Sequence, residues 1–347
     1  MTQADLMNRV CIREHGGLET LRFDTAPIPQ PGPGEAIVKL KTMSLNHLDL
    51  WVRRGVEGHR FPLPLIPGCD GAGIVHEIGP GIDEVWNNRE VLLSPGFSCG
   101  ECHFCRTDRD PLCRGYGILG ETCDGTCAEY VKVRIEQCLP KPPAASWEEA
   151  AAFPLSSLTS ASMIEKAALQ SEETLLVIAG TSGVGSMAIQ LGKLRECRVI
   201  ATASTEEKRL AALKLGADHV IDPNSEEWWK EIKALTNGTG ADVIFENVGE
   251  STWSQSLLAL GIGGRLTTCG ATTGSSVPIE LKRLFFKNQQ IIGSTMGPLS
   301  LLQQLLEPFA ARKLVPLIDS VYPFDQLAEA HKRMESRQSV GKIVLQF

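Results

Sequence analysis

Four cysteines fall within fifteen residues, in CGECHFCRTDRDPLC, at Cys99, Cys102, Cys105 and Cys113. This C-x2-C-x2-C-x7-C spacing lets one short loop offer four thiolates to a single tetrahedral ion, the arrangement of a structural zinc site. Gly100 and Pro111 permit the bends. A disulfide framework suits neither a chain of 347 residues nor its odd count of 11 cysteines, and an iron–sulfur cluster is the remaining rival. Four protein ligands leave no open coordination position, so such a zinc folds a lobe and polarises no substrate. The chemistry must lie elsewhere.

The second cluster is TLLVIAGTSGVGSMAIQLGKL, from Thr174 to Leu194. Thr174 to Ala179 is a nearly continuous apolar run, as expected of a parallel strand buried on both faces. Gly180, Gly183 and Gly185 punctuate a turn whose other members are Thr181, Ser182 and Val184. Val184, Met187, Ala188, Leu191 and Leu194 then share one helical face. Strand, glycine turn and helix N-terminus together make a site for a pyrophosphate, because free N–H groups and the helix dipole meet the charge. The spacing is G-x-x-G-x-G, which any tight strand-to-helix turn could use, so the flanking strand and helix carry the reading.

The next strand, RVIATA, ends at Ala203, where NAD-binding versions carry an acid for the ribose 2′-hydroxyl. Here Ala203 and Ser204 stand in that place, and Ser204 with Glu207 fits a capping box. A hydroxyl, a helix start and Lys208 suit a 2′-phosphate, so NADP(H) is expected rather than NAD(H). Lys208 and Arg209 read equally well as solvated helix charges. Asn247, Val248, Gly249, Gly270 and Ala271 follow two later strands and are candidates for lining the ribose and nicotinamide; each also fits ordinary turn chemistry.

Length and composition place these clusters in a two-domain globular chain. Residues 1–150 hold many short strands between Gly and Pro, a barrel or sandwich pattern. Ser146 and Glu149 form a capping-box pattern ahead of Ala-rich helices. Strand and helix then alternate over 151–313, and 314–347 gives strand, helix and final strand. A net charge of −7 without a Lys/Arg run excludes nucleic acid as a main partner. No signal-peptide core and no apolar stretch of membrane length are present, so no membrane partner and a cytoplasmic location are expected.

A four-Cys lobe at about 94–115, a glycine turn and a terminal GKIVLQF resemble the medium-chain dehydrogenase/reductase superfamily over essentially the whole chain. The lobe is similar to that of zinc alcohol dehydrogenases; LNHLDLWVRRG is similar to the quinone oxidoreductase branch. The resemblance implies an α/β fold: a GroES-like β-barrel catalytic domain (1–150 and 314–347) and a Rossmann doubly wound parallel sheet (151–313). It also implies a homodimer or homotetramer, through QIIGSTMG as a last sheet strand. Zinc members hold a second, catalytic ion. Where their pattern has a ligand Cys, this chain has Asn46; where it has His-Glu, this chain has Cys69 and Asp70; Leu48 stands at the proton-relay hydroxyl. A family-type catalytic zinc is therefore not expected, although His47, Cys69 and Asp70 leave open a nonstandard metal. Asn46 and His47 are candidate polar groups toward substrate, Asp49 a structural acceptor, and Cys69 either a packed thiol or a donor. The expected activity is NADPH-dependent hydride transfer to an α,β-unsaturated carbonyl or a quinone. Alcohol or aldehyde oxidoreduction and a noncatalytic NADPH-binding sensor are the rivals.

Overall fold

The computed structural model describes residues 6–347. It divides into two compact units, one reaching to Leu155 and rejoined by Pro298–Phe347, the other spanning Ser156–Gly297. The boundaries thus fall at 155/156 and 297/298, where the sequence reading has 150/151 and 313/314, so the helix Leu299–Ala310 goes with the first unit. Among the described residues no helix is long and apolar enough to cross a membrane.

The first unit is built on a seven-stranded sheet. Its order is Ile318–Pro323, Lys342–Gln346, Glu35–Ser44, Asp70–Ile78, Glu90–Leu93, Cys138–Pro140, with Tyr130–Arg134 also paired to Glu35–Ser44. All pairings are antiparallel except that of the two C-terminal strands. The central strand Glu35–Ser44 alternates on one face, and its buried Ala36, Val38 and Leu40 pack on Val75, Val91, Val131 and Val133. Ser146 caps the helix Trp147–Ala152 by accepting from Glu149 N, as its capping box predicts. Phe153 stacks on Phe309 at 4.0 Å and 7°, which seats the helix Leu299–Ala310 in this unit.

The second unit is a six-stranded parallel sheet in the order His219–Ile221, Arg198–Thr202, Thr174–Val177, Ala241–Glu246, Leu260–Thr268, Gln290–Gly293. Numbered along the chain this is 3-2-1-4-5-6, the doubly wound order with a switch point between the first and fourth strands. Leu175, Leu176, Val177, Ile244 and Phe245 are fully buried, as strands covered on both faces must be.

Candidate active site and metal lobe

Three strand ends meet in the first unit. Ser44 pairs with Asp70 on one side and Val344 on the other. Carrying the antiparallel register on from Val344 and Ser44 sets Lys342 opposite Asn46, with Leu45 N donating to Ile343 O at 2.9 Å between them. Asn46 is the extended residue before the helix His47–Arg54, but its side chain makes no cap bond. Instead Nδ2 donates to Asp70 Oδ2 at 2.9 Å and to Cys69 Sγ at 3.2 Å, while Oδ1 accepts from Lys342 Nζ at 2.5 Å. Lys342 Nζ also donates to Asp70 Oδ2 at 3.0 Å. Asp70 Oδ1 accepts from Leu155 N at 2.9 Å, and Ser44 Oγ lies 3.4 Å from Oδ2. The result is a buried ion pair bridged by one amide.

Asp49 accepts from Asn46 N at 2.7 Å and from Gly68 N at 3.1 Å, tying the helix start to the turn before Cys69. Desolvation pushes its carboxyl up to about 7. Desolvation first, then Asp49 and Asp70, raises the Cys69 thiol well above its ordinary value, so it is a neutral thiol. His47 is exposed; desolvation by the protein atoms around it, then the charges of Arg337, Lys342 and Arg54, lower its pKa and keep it neutral near pH 7. This donor set does not fit a catalytic zinc. The amide oxygen and the carboxylate that would face the ion already share an ammonium, and the thiol holds its proton. Among the described residues, the only grouping of three or more His, Cys or carboxylate donors is the four-Cys cluster, so His47, Cys69 and Asp70 do not gather as ligands.

In that lobe the four Sγ atoms of Cys99, Cys102, Cys105 and Cys113 lie within 4.8 Å of one another. Cys102–Cys105 and Cys113–Cys99 are 3.5 Å apart and Cys99–Cys105 3.8 Å. A regular tetrahedron with zinc–sulfur bonds of about 2.3 Å has edges of about 3.8 Å, so the residues fit the ion. Gly100 supplies a φ of +77° in the first turn, where a side chain would be strained. Gly115 N donates to Cys113 Sγ at 3.3 Å. Backbone N–H groups of Glu101 and Cys102 favour the Cys99 thiolate, and the Ser98 hydroxyl that of Cys105. Asp110 fastens the lobe by accepting from Leu299 N at 3.3 Å.

In the second unit the turn after Thr174–Val177 leads into the helix Gly183–Leu194, capped by Ser182 Oγ accepting from Gly185 N at 3.0 Å. A Cβ on Gly185 would come within 2.3 Å of Ala179 O, and one on Gly180 within 2.8 Å of Ala201 Cβ, so these glycines let strand and helix close on each other. The helix start is then free to face phosphate. Asn247 Nδ2 donates to Ile178 O at 2.9 Å, joining the ends of adjacent strands. A Cβ on Gly249 would meet Gly274 O at 2.6 Å, and one on Gly270 would meet Asn247 O at 2.8 Å. The structure thus brings Asn247, Val248, Gly249, Gly270 and Ala271 together beside the glycine turn. Sequence reasoning missed what holds them. The buried Glu246 carboxylate accepts from Val248 N (2.7 Å), Gly249 N (3.1 Å) and Ser256 Oγ (2.8 Å), with Thr252 Oγ1 3.0 Å away. An acid at the end of the buried run Val243–Phe245 was its signal.

One expectation is corrected. The helix Glu206–Lys214 is capped by Thr205, whose Oγ1 accepts from Lys208 N at 3.3 Å, and not by Ser204. Ser204 stays exposed at the strand's end, after buried Ala203.

Residues 32–143 match the alcohol dehydrogenase GroES-like domain model, and residues 183–311 the zinc-binding dehydrogenase model. A zinc-type alcohol dehydrogenase-like protein of Schizosaccharomyces pombe is 30% identical over 96% of this chain and 97% of its own. A crotonyl-CoA reductase of Streptomyces avermitilis is 27% identical over 98% of this chain and 85% of its own. The crystal structure of an NAD-dependent alcohol dehydrogenase superposes with a TM-score of 0.95 at 41% identity, covering 98% of this chain and 100% of that one. With both units matched along nearly their whole length, the chain belongs to the medium-chain dehydrogenase/reductase superfamily and is an NAD(P)-dependent oxidoreductase.

Proposed function

We propose that the protein is an NADPH-dependent reductase of α,β-unsaturated carbonyls or quinones, working without a catalytic zinc and carrying one structural zinc on Cys99, Cys102, Cys105 and Cys113. The observation behind this reading is the cluster of Lys342, Asp70, Asn46 and Cys69, which leaves no donor set for a Lewis-acid ion. A simple ketone builds its negative charge on one oxygen and needs a strong electrophile there. A conjugated carbonyl or quinone spreads the charge into an enolate or quinol, for which hydrogen bonds suffice. The bound nicotinamide supplies the hydride. His47, exposed and neutral near pH 7, offers a ring N–H to the developing oxyanion, and solvent supplies the proton. Asn46 sets the position of that turn, with Asp49 and Cys69 holding its backbone and amide.

The turn Gly180–Gly185 is the proposed pyrophosphate cradle, with Asn247–Gly249, Gly270 and Ala271 toward the nicotinamide. Exposed Ser204 and half-buried Lys208 are proposed for the 2′-phosphate, since no carboxylate ends the strand Arg198–Thr202. The relative named crotonyl-CoA reductase supports reduction of a conjugated carbonyl. The neighbour named NAD-dependent alcohol dehydrogenase favours a second reading, alcohol or aldehyde oxidoreduction with NAD. Assays with purified protein separate the two. NADPH oxidation with small quinones or enals, and little oxidation of ethanol-like alcohols, supports the first. Efficient NAD-linked alcohol oxidation abolished by a chelator overturns it.

The assembly proposed is a homodimer or homotetramer in the cytoplasm. Among the described residues strand Gln290–Gly293 pairs on one side only, and Ile262, Leu281, Phe285 and Phe286, in or beside the last two strands, are exposed. A second copy would cover that edge. Sedimentation of a monomer at micromolar concentration would count against it.

A further inference from the structure

Lys342 has no role in the sequence reading, yet it is the charge on which the cluster turns. Its side chain is 5% exposed and that of Asp70 is 0%. An ammonium taken this far out of water needs both a counter-charge and hydrogen-bond acceptors. Asp70 Oδ2 supplies the first at 3.0 Å, and Asn46 Oδ1 adds an acceptor at 2.5 Å. The placement is set by the main chain, because the register that pairs Val344 with Ser44 puts Lys342 against Asn46. The ammonium also fixes which way the amide faces. With Oδ1 held by Lys342, Nδ2 must turn to Asp70 and Cys69. The Lys342 ammonium cancels the charge of Asp70, the carboxylate it touches, and repels a divalent ion.

We propose that the Lys342 ammonium is the built-in cation of this site, standing where a metal-dependent relative would use an ion. It keeps divalent ions out and holds Asn46 and Asp70 in the arrangement that hydride transfer needs. The second half rests on the reading of the protein as a reductase; the first half does not. Lys342 is on this view a positioning residue, acting through the Asn46 amide.

The test uses the full-length protein with cobalt(II) as the metal probe, together with NADPH-dependent reduction of a small quinone or enal. The parent and Lys342→Arg should each bind one cobalt per chain, in the four-Cys lobe. Lys342→Met leaves the Asp70 carboxylate uncompensated beside a thiol and an amide oxygen, and should take up a second cobalt. Two cobalt ions in the parent, or one in Lys342→Met, overturns the exclusion. In the kinetic arm Lys342→Met should lower kcat by about 10²-fold, the size of losing one organised donor, with NADPH affinity nearly unchanged, and Lys342→Arg should recover much of the rate. A loss confined to NADPH affinity assigns the lysine to the cofactor and overturns the positioning role. Should Lys342→Met fail to fold, the double variant Lys342→Met/Asp70→Asn removes both buried charges together. It should fold, bind one cobalt and keep the loss in kcat; full activity in it refutes the proposal. A parent that reduces no quinone or enal sinks the reductase reading, while the cobalt counts still decide what Lys342 does.

Discussion

The four-Cys lobe and the cluster around Asn46 occupy the two places where the zinc-type pattern puts ions, and they solve opposite electrostatic problems. The lobe gathers four sulfurs within 4.8 Å, with no ammonium or guanidinium among the described residues hydrogen-bonded to any of them. Left alone as thiolates they would repel, and an ion of the size of zinc would remove that repulsion. The cluster gathers one carboxylate, one amide and one protonated thiol, and brings its own cation from the last strand of the unit. On the function proposed here, the same fold makes a metal necessary in one place and superfluous in another by the identity of a few side chains.

The largest effect should come from breaking the lobe. Cys102→Ser, or stripping zinc with a strong chelator, removes a site whose binding energy is folding energy. A loss of several kcal/mol should appear as a Tm drop at about 2–4 °C per kcal/mol, with precipitation of the opened lobe, and purified parent should contain one zinc per chain. A Cys102→Ser protein that melts normally but is inactive would move the chemistry into the lobe and erase the contrast.

Second in size is the cluster. Asn46→Ala removes the bridge between Lys342 and Cys69 while sparing the four thiolates. It should cost about 10²-fold in kcat for the favoured quinone or enal, about 2.7 kcal/mol, and leave the zinc content unchanged. A fall in zinc content would mean that the two places are not independent.

The difference in how legible these places were in the sequence has a physical cause. The lobe's four cysteines lie within one loop, so spacing alone grouped them, and the Ser146 capping box was as local. Lys342 and Asn46 are 296 residues apart, and only strand pairing between opposite ends of the chain brings them together. A lysine heading an apolar strand looks like a solvated edge until that pairing is known. The Thr205 cap was missed for the reverse reason. Ser204 and Thr205 are both good caps, and Glu207 three places after Ser204 favoured Ser204 in the sequence pattern; the structure starts the helix one residue later, with Thr205 capping Lys208 N.

Charge counting extends to the second unit with a smaller effect. Ser204→Asp places a carboxylate where the strand Arg198–Thr202 gives way to the helix, repelling a 2′-phosphate and offering an acceptor to a 2′-hydroxyl. The ratio of NADPH to NADH affinity should fall by about tenfold, about 1.4 kcal/mol. A parent that binds NADH more tightly than NADPH reverses the assignment outright, and an unchanged ratio in the variant removes Ser204 from the site.

The smallest effect tests how the first unit tolerates buried cations at all. At the far end of helix His47–Arg54, Arg53 is buried and ion-paired with Glu335, and its Nη1 lies 3.3 Å from His331 Nδ1. His331 is fully buried and its Nε2 has no partner among the described residues. Desolvation, then the charges of Arg53 and Arg54, lower its pKa to about 3. Between that value and the ordinary value near 6.5 the unfolded chain binds a proton that the folded chain refuses. The stability contributed by neutral His331 is thus full above pH 6.5 and is lost, at about 1.4 kcal/mol per pH unit, as the pH falls below it. Asp49, raised to about 7, has the opposite sign: its folded form keeps a proton that the unfolded chain has released, so its contribution falls as the pH rises from about 4 toward 7. The two slopes oppose each other in the parent, and only a difference isolates one. His331→Gln removes the imidazole titration and leaves Asp49 in place. Urea melts at pH 7.0 and 5.5 should show the parent losing about 1.4 kcal/mol more than His331→Gln over that interval. Equal losses would mean that His331 accepts a proton in the folded state despite Arg53, and that this unit does not enforce the one-cation, one-carboxylate pairing seen at Lys342 and Asp70.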